Sequence, residues 1–336
     1  MAQGSIPRNG GQWPVRRSWL KRVFFLLAIS VVFCHEPVPP RHLPLRLHVQ
    51  ATLAATGARD DHPRMISIQD GEIAEVSPGE AAAGRATPPQ GTVDARALVV
   101  TPGLAAIAMA TSLRASPAAI KRLLRLGITS LVVVDSTYRE AIALRRFVGT
   151  ARGMGPRIFV TGPVAGEERN SMRNKAQARA RTRRAADAQV DAMCLSPAWA
   201  SANPKLACSA LAEAARHELR SFILEPVPDL PCAVPVLLPQ PTESFVGPAA
   251  SITQRLHTSG EILAGLGLDG ALGRVERGYR ADLVGFSTTP CGNRMCLAEA
   301  RLVLIDGVVQ NLDPPPWYVS LTWLWHRTIA SAGDDD

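Results

Sequence analysis

The chain has 336 residues, 46% hydrophobic and 20% charged, which is enough for one large globular domain or two ordinary ones and too apolar for an unstructured chain. Its net charge of +8 does not argue for a nucleic-acid partner. Five cations (Arg8, Arg16, Arg17, Lys21 and Arg22) precede position 35 with no acid among them, and without that segment the net charge is only +3.

Residues 16–34 read RRSWLKRVFFLLAISVVFC, a basic stretch followed by an apolar run from Val23 to Cys34. At about 12 residues the run is shorter than the roughly 20 needed to span a bilayer as a helix, and it has the make-up of an export signal. Arg16-Arg17 followed by Trp19 resembles a twin-arginine signal. An uncleaved anchor and a buried N-terminal helix are the alternatives. Phe33 is bulky where a lipoprotein signal carries a small residue, which argues against lipidation of Cys34. Residues 1–34 are therefore read as the signal, and residues 35–43, with Pro37, Pro39 and Pro40, as a stiff linker. The expected location is periplasmic or extracellular, with membrane association through the N-terminal segment.

From residue 44 to 100 the pattern is β. LRLHVQATLAAT is a strand, MISIQDGEIAEVSPG a hairpin turning on Asp70-Gly71, and residues 92–100 another strand. Residues 97–110, ALVVTPGLAAIAMA, carry a strand through Pro102-Gly103-Leu104 into a second apolar run. A helix follows, with Ser116 as N-cap, Pro117 at its first position and Gly127 at its end. Then come a buried strand (128–135), a strand at 157–162, a basic surface helix (170–188), a strand at 190–195, a helix over 203–219, and the short runs SFILEP and AVPVLLP. This alternation predicts parallel strands with helical crossovers. Near the other end, residues 281–287 and 300–309 are strands, the latter turning on Asp306-Gly307. Two β-rich ends flanking a helix-rich middle imply that the ends meet in one small sandwich.

Six cysteines are consistent with an oxidising compartment. Cys291 and Cys296 bracket a hairpin-like loop and form one candidate disulfide. Cys208 and Cys232 are a weaker second pair, and Cys194 reads as a small buried hydrophobe. No Cys-x-x-Cys spacing suggests zinc.

Several of these segments are similar to the amidohydrolase superfamily. Residues 259–284, SGEILAGLGLDGALGRVERGYRADLV, resemble its closing helix, Leu-Gly-Leu turn and LG-x-I-x-x-G-x-x-ADLV stretch, with Gly273, Gly278, Ala281, Asp282 and Leu283 in place. IDGVVQ (305–310) resembles its last hairpin, and the front hairpin with VDARALVVTPGL its N-terminal strands and first barrel strand. LLRLGITSLVVVD and GPRIFVTGP are weaker echoes of the second and third barrel strands, in the imidazolonepropionase-like and prolidase-like branch. The resemblance covers about residues 44–312. It implies a sandwich plus a (β/α)8 barrel, zinc or another divalent metal, and hydrolysis of C–N or related bonds by metal-activated water.

The residues that the resemblance implies for that chemistry are missing. The superfamily wording PGLID-x-H-x-H puts two metal-binding histidines at positions 108 and 110, which here are Ala108 and Ala110. Cys194 stands about where a carbamylated lysine would fall, and Leu224 or Glu225 where a histidine is expected. The sixth strand segment has no histidine, and no aspartate can be placed at an eighth. His42, His48, His62, His217, His257 and His326 sit at no recognisable strand end. Asp191 and Glu225 could face one rim, but isolated carboxylates are usually solvated or salt-bridged. Ser196 and Ser221 have no placed histidine partner.

Length argues the same way. A barrel takes at least about 200 residues, whereas Pro102 to Leu272 spans 171 positions with six strand candidates. One or two βα units are missing, which leaves open edges that need covering. The tail, WYVSLTWLWH after Pro314-Pro315-Pro316, alternates like a strand and could dock on the protein, form a subunit interface or meet a membrane surface.

The sequence thus predicts an α/β protein: a truncated or distorted (β/α) TIM-like barrel (102–272), a small composite β-sandwich formed by both chain ends (44–101 and 273–312), and a Trp-rich tail (313–336). The expected role is an exported amidohydrolase-like protein, inactive as a metal hydrolase, serving as a binding or structural component. The alternative is an active hydrolase on non-peptide C–N bonds with an unorthodox site. No catalytic or metal-ligating residue is assigned and no cofactor is expected. The expected partner is a small molecule, a protein or a second copy of the chain, and not nucleic acid.

Overall fold

The computed structural model describes residues 44–53, 59–79, 91–109, 117–134, 138–150, 155–162, 172–227, 230–232, 236–237, 252–291 and 294–313. The signal and linker, Ala110, Ser116 and the Trp-rich segment from position 314 lie outside them.

Both chain ends enter one eight-stranded sheet. Its strands are β1 (Leu45–Leu53), β2 (Arg59–Asp60), β3 (Arg64–Gln69), β4 (Glu72–Pro78), β5 (Thr92–Pro102), β12 (Leu283–Cys291), β13 (Arg294–Ile305) and β14 (Val308–Val309). The order is β14-β13-β12-β5-β1-β3-β4, with β2 paired to β1. The ends are joined where β5 runs antiparallel to β12, Pro102 opposite Leu283 and Leu98 opposite Ser287. Period-two alternation sends Leu47, Val49, Ile66, Ile68, Val100, Leu283, Leu302 and Leu304 into one apolar cluster. Both predicted Asp-Gly turns form, with positive φ at Asp70, Gly71, Asp306 and Gly307, the geometry such dipeptides favour.

The middle of the chain alternates strand and helix. β6 (Leu104–Met109), β7 (Ile128–Val134) and β8 (Arg157–Val160) form one parallel sheet, and β9 (Ala192–Leu195), β10 (Arg220–Ile223) and β11 (Val236–Leu237) another. An isolated parallel bridge, Thr161 to Ala192, links β8 to β9. Six strands thus follow one another in sequence order. The helices are α1 (Pro117–Arg125), α2 (Tyr138–Thr150), α3 (Lys175–Asp187), α4 (Pro197–Ala202), α5 (Pro204–Arg216) and α6 (Ile252–Gly265). Among the described residues β11 does not pair with β6, and they show no closed barrel.

Two glycines show why the chain turns where it does. Gly127 ends α1 with φ +83°, and a Cβ there would lie 2.5 Å from the Phe286 ring. Gly103 lets β5 pass into β6, since a Cβ would lie 2.0 Å from Thr129 Oγ1.

α6 lies against the β6 end of the six-strand array. Arg255 donates to the Leu126 carbonyl beyond α1, and Ser259 Oγ accepts from the Ala105 N–H of β6 at 2.7 Å. Past the C-terminus of α6, Gly267 lies against the guanidinium of Arg220, the first residue of β10. A side chain on α6 therefore meets an amide on the edge of β6 that no neighbouring strand pairs among the described residues.

Candidate functional site

In related architectures the chemistry belongs to strand ends and to the strand face turned away from the crossover helices. Here the two faces separate cleanly. Leu104, Ala106, Leu131, Val133, Ile158, Val160, Met193, Leu195 and Ile223 pack with buried residues of α1 to α5. The opposite face carries Ala105, Val132, Val134, Ala192, Cys194 and Phe222, with Ile107, Phe159 and Leu224 partly buried against them. It is covered by Ile262, Leu263 and Leu266 of α6 and its turn, and by Leu272.

The residues that the sequence singles out are dispersed over this frame. Ala108 packs against the helix-side cluster, on the face opposite Ala105 and Ile107, so a side chain there points toward the crossover helices. Cys194 is fully buried on the α6-covered face as a thiol outside any disulfide, its Sγ 3.9 Å from the Leu195 carbonyl. Leu224 is on that face and Glu225 is exposed beyond it. Asp191 and Glu225 do not share a rim. Asp191 precedes β9 and Glu225 follows β10, and these parallel strands put them at opposite ends of the sheet.

Asp191 instead joins β8 to β9. Its Oδ2 accepts from the Val160 N–H at 2.7 Å and from Arg145 at 2.8 Å, while Arg145 also donates to the Gln189 carbonyl. Ser196 caps α4 by accepting from the Trp199 N–H. His217 closes α5 beside Glu213, and His257 stands exposed on α6 beside Glu261.

A divalent ion needs several imidazole, carboxylate or thiolate donors converging on one point. The face covered by α6 offers one thiol among aliphatic and aromatic side chains, and the described residues contain no group of three His, Cys, Asp or Glu that could hold a metal. The donor set does not fit the metal that the resemblance implies, and no chemical step is derived through one.

The conspicuous charged cluster lies at the other end of the strands. Arg157, at the start of β8, donates to Asp282 Oδ2 at 2.8 Å and to Asp306 Oδ1 at 2.7 Å. Arg280 donates to Asp306 at 2.7 Å, and Asp282 accepts from the Asp306 N–H at 2.9 Å. Burial pushes the Asp282 carboxyl above its ordinary range, against the pull of Arg157. Burial also acts to raise Asp306, but Arg157 and Arg280 overcome it and hold that carboxyl low. This network ties β8 to the last hairpin, so the aspartate of the ADLV stretch has a structural role.

The cysteine pairing differs in emphasis from the sequence reading. Cys208 on α5 and Cys232 are disulfide-bonded. In the β12–β13 ladder Cys291 stands opposite Arg294 and Cys296 opposite Thr289. Among the described residues no helix is long and apolar enough to cross a membrane.

No protein-family model and no curated protein matches this sequence. Solved structures do match in fold. A protein assigned as a prolidase from Bifidobacterium longum is similar over 87% of this chain and 100% of its own, at 16% identity and TM-score 0.61. A Xaa-Pro dipeptidase is similar over 80% and 100% at 12% identity and TM-score 0.60. A zinc-bound adenosine deaminase from Xanthomonas campestris is similar over 88% and 100% at 13% identity and TM-score 0.56. The chain shares the fold of these proteins. At these identities the likeness is one of architecture and does not carry over an activity.

Proposed function

We propose that this chain is a shortened barrel of the amidohydrolase fold that has left metal-dependent hydrolysis behind and serves as an exported binding or structural component. The observation that carries this reading is the apolar strand face. Ala105, Val132, Val134, Cys194 and Phe222 pack with Ile262, Leu263 and Leu266 of α6. A site for metal-activated water needs converging donors and room for substrate, whereas this face supplies van der Waals packing.

The shortening is supported by the same helix. Strands seven and eight of a full barrel would lie between β11 and β6, and Ser259 of α6 takes the Ala105 amide on that edge of β6, while Gly267 just past the helix lies against Arg220 of β10. The signal-like residues 16–34 support export.

The test is the metal content of the purified protein by mass spectrometry, together with hydrolysis assays on N-acyl and ureido substrates. The expected result is substoichiometric metal and no chelator-sensitive turnover. Stoichiometric zinc with activity lost to a chelator would overturn the proposal in favour of an active C–N hydrolase.

A further inference from the structure

We infer that α3, with the adjoining end of α5, forms a cationic ridge that binds an anionic phospholipid surface. The fully buried positions of the helix are the small residues Ala178, Thr182 and Ala185, with Arg181 half-buried beside them. Lys175, Arg179, Arg183 and Arg184 stay exposed. Lys175, Arg179 and Arg183 follow at intervals of four residues, which stacks them along one side of the helix over about 12 Å. Arg173 and Arg184 are also exposed, and Asp187 is the helix's one acid.

The neighbouring helix extends the ridge. Glu213 of α5 is buried, its side chain 6% exposed, and is met by Arg183, Arg216 and His217. One carboxylate thus anchors two guanidinium groups that each remain 57% exposed. The acids at this end are Glu213 itself, Asp187, and Glu218 just beyond His217. The cations of the ridge outnumber them, and they are spaced along an exposed helix face. An array of that kind matches a surface of repeated phosphates.

A bilayer is the occupant favoured by the rest of the chain. Residues 23–34 are apolar and directly follow Arg16, Arg17, Lys21 and Arg22, and the tail carries Trp317, Trp323 and Trp325, residue types that favour the membrane interface. The inference is independent of the reading of the strand face.

Vesicle flotation of the full chain tests it, using vesicles of phosphatidylcholine alone and of phosphatidylcholine with phosphatidylglycerol. The apolar N-terminal segment can bind both, so the readout is the increment due to phosphatidylglycerol. A K175E/R179E variant, which leaves the Glu213 cluster intact, is expected to lose that increment by about thirtyfold or more, while binding to phosphatidylcholine and the thermal midpoint stay unchanged. Should the double variant fail to fold, K175Q and R179Q singly are each expected to reduce the increment several-fold. No increment in the parent chain, or an increment that survives charge reversal, overturns the inference. So does charge-reversal-sensitive binding to RNA without any phosphatidylglycerol increment, which would assign the ridge to nucleic acid.

Discussion

The Ala105 amide donates to the hydroxyl of Ser259 at 2.7 Å across 154 residues of sequence, and both residues are buried. β6 is the first strand of the six, and its amides alternate in direction. Leu104 N–H turns to the Gly127 carbonyl beside β7, and Ala105 N–H turns the other way, to Ser259. In a closed barrel the groups turned that way would meet a last strand. Here a helix side chain satisfies the Ala105 amide.

Ser259→Ala is therefore expected to destabilise the protein by about 1–3 kcal/mol, the cost of leaving a buried amide without an acceptor. Urea unfolding measures it. An effect below about half a kcal/mol would show that water replaces the hydroxyl, and hence that α6 does not seal this edge.

Arg157 compensates a carboxylate, on Asp282, whose side chain is 2% exposed. Arg157→Met keeps the stem and removes the charge, and the uncompensated Asp282 should cost about 3–5 kcal/mol. Chemical denaturation checks the magnitude. The Arg157→Met/Asp282→Asn double variant should recover part of the loss, because the buried charge goes with its partner.

The pH dependence has a definite sign at Asp306. Its carboxyl is held low by Arg157 and Arg280 despite burial. Its contribution is thus present above the ordinary carboxylate range and is lost as pH falls through the depressed value. Asp306→Asn should cost stability near neutral pH, and its deficit against the parent should shrink between about pH 5 and about pH 3. Denaturation midpoints that run parallel over that window would refute the assignment.

The parts of this fold that show in the sequence are those set by local chemistry. Asp70-Gly71 and Asp306-Gly307 mark hairpin turns, Gly127 ends a helix, and six short apolar runs mark the strands. Among the residues that carry the superfamily resemblance, Gly103, Gly278 and Asp282 have visible physical reasons: backbone approach, positive φ and the Arg157 pair. What the sequence hides depends on distant partners. Nothing near Ser259 shows that it will accept from Ala105, and nothing in the spacing of polar and apolar residues over 252–265 separates an edge-covering helix from an ordinary crossover. Asp191 reads as a rim carboxylate because direction along β9 is not visible without the strand pairing.

Cys208 and Cys232 are bonded across a sequence separation of 24 residues. In the chain-entropy model a loop of that size contributes about 3 kcal/mol. Reductant, or Cys208→Ser with Cys232→Ser, should lower the denaturation midpoint accordingly, and a non-reducing peptide map should show the two cysteines linked. A midpoint indifferent to reductant would mean that the bond adds no constraint beyond what α5 packing already imposes.

The orientation of Ala108 gives the sharpest test of the strand-face reading. In sequence it stands where the superfamily has a metal-binding histidine, yet it packs against the helix-side cluster. Restoring the residue type should therefore not restore a ligand. Ala108→His would push an imidazole toward the crossover helices, at an overpacking cost of about 1–3 kcal/mol, without zinc-dependent stabilisation. Ile107→His would place the ring on the face with Cys194 and is the informative companion. Thermal midpoints with and without zinc separate the cases, because a ligand bound only by the folded state raises the midpoint. Zinc-dependent stabilisation of Ala108→His would mean that position 108 faces the metal-site side after all, and that the loss of histidine alone separates this chain from a functional centre.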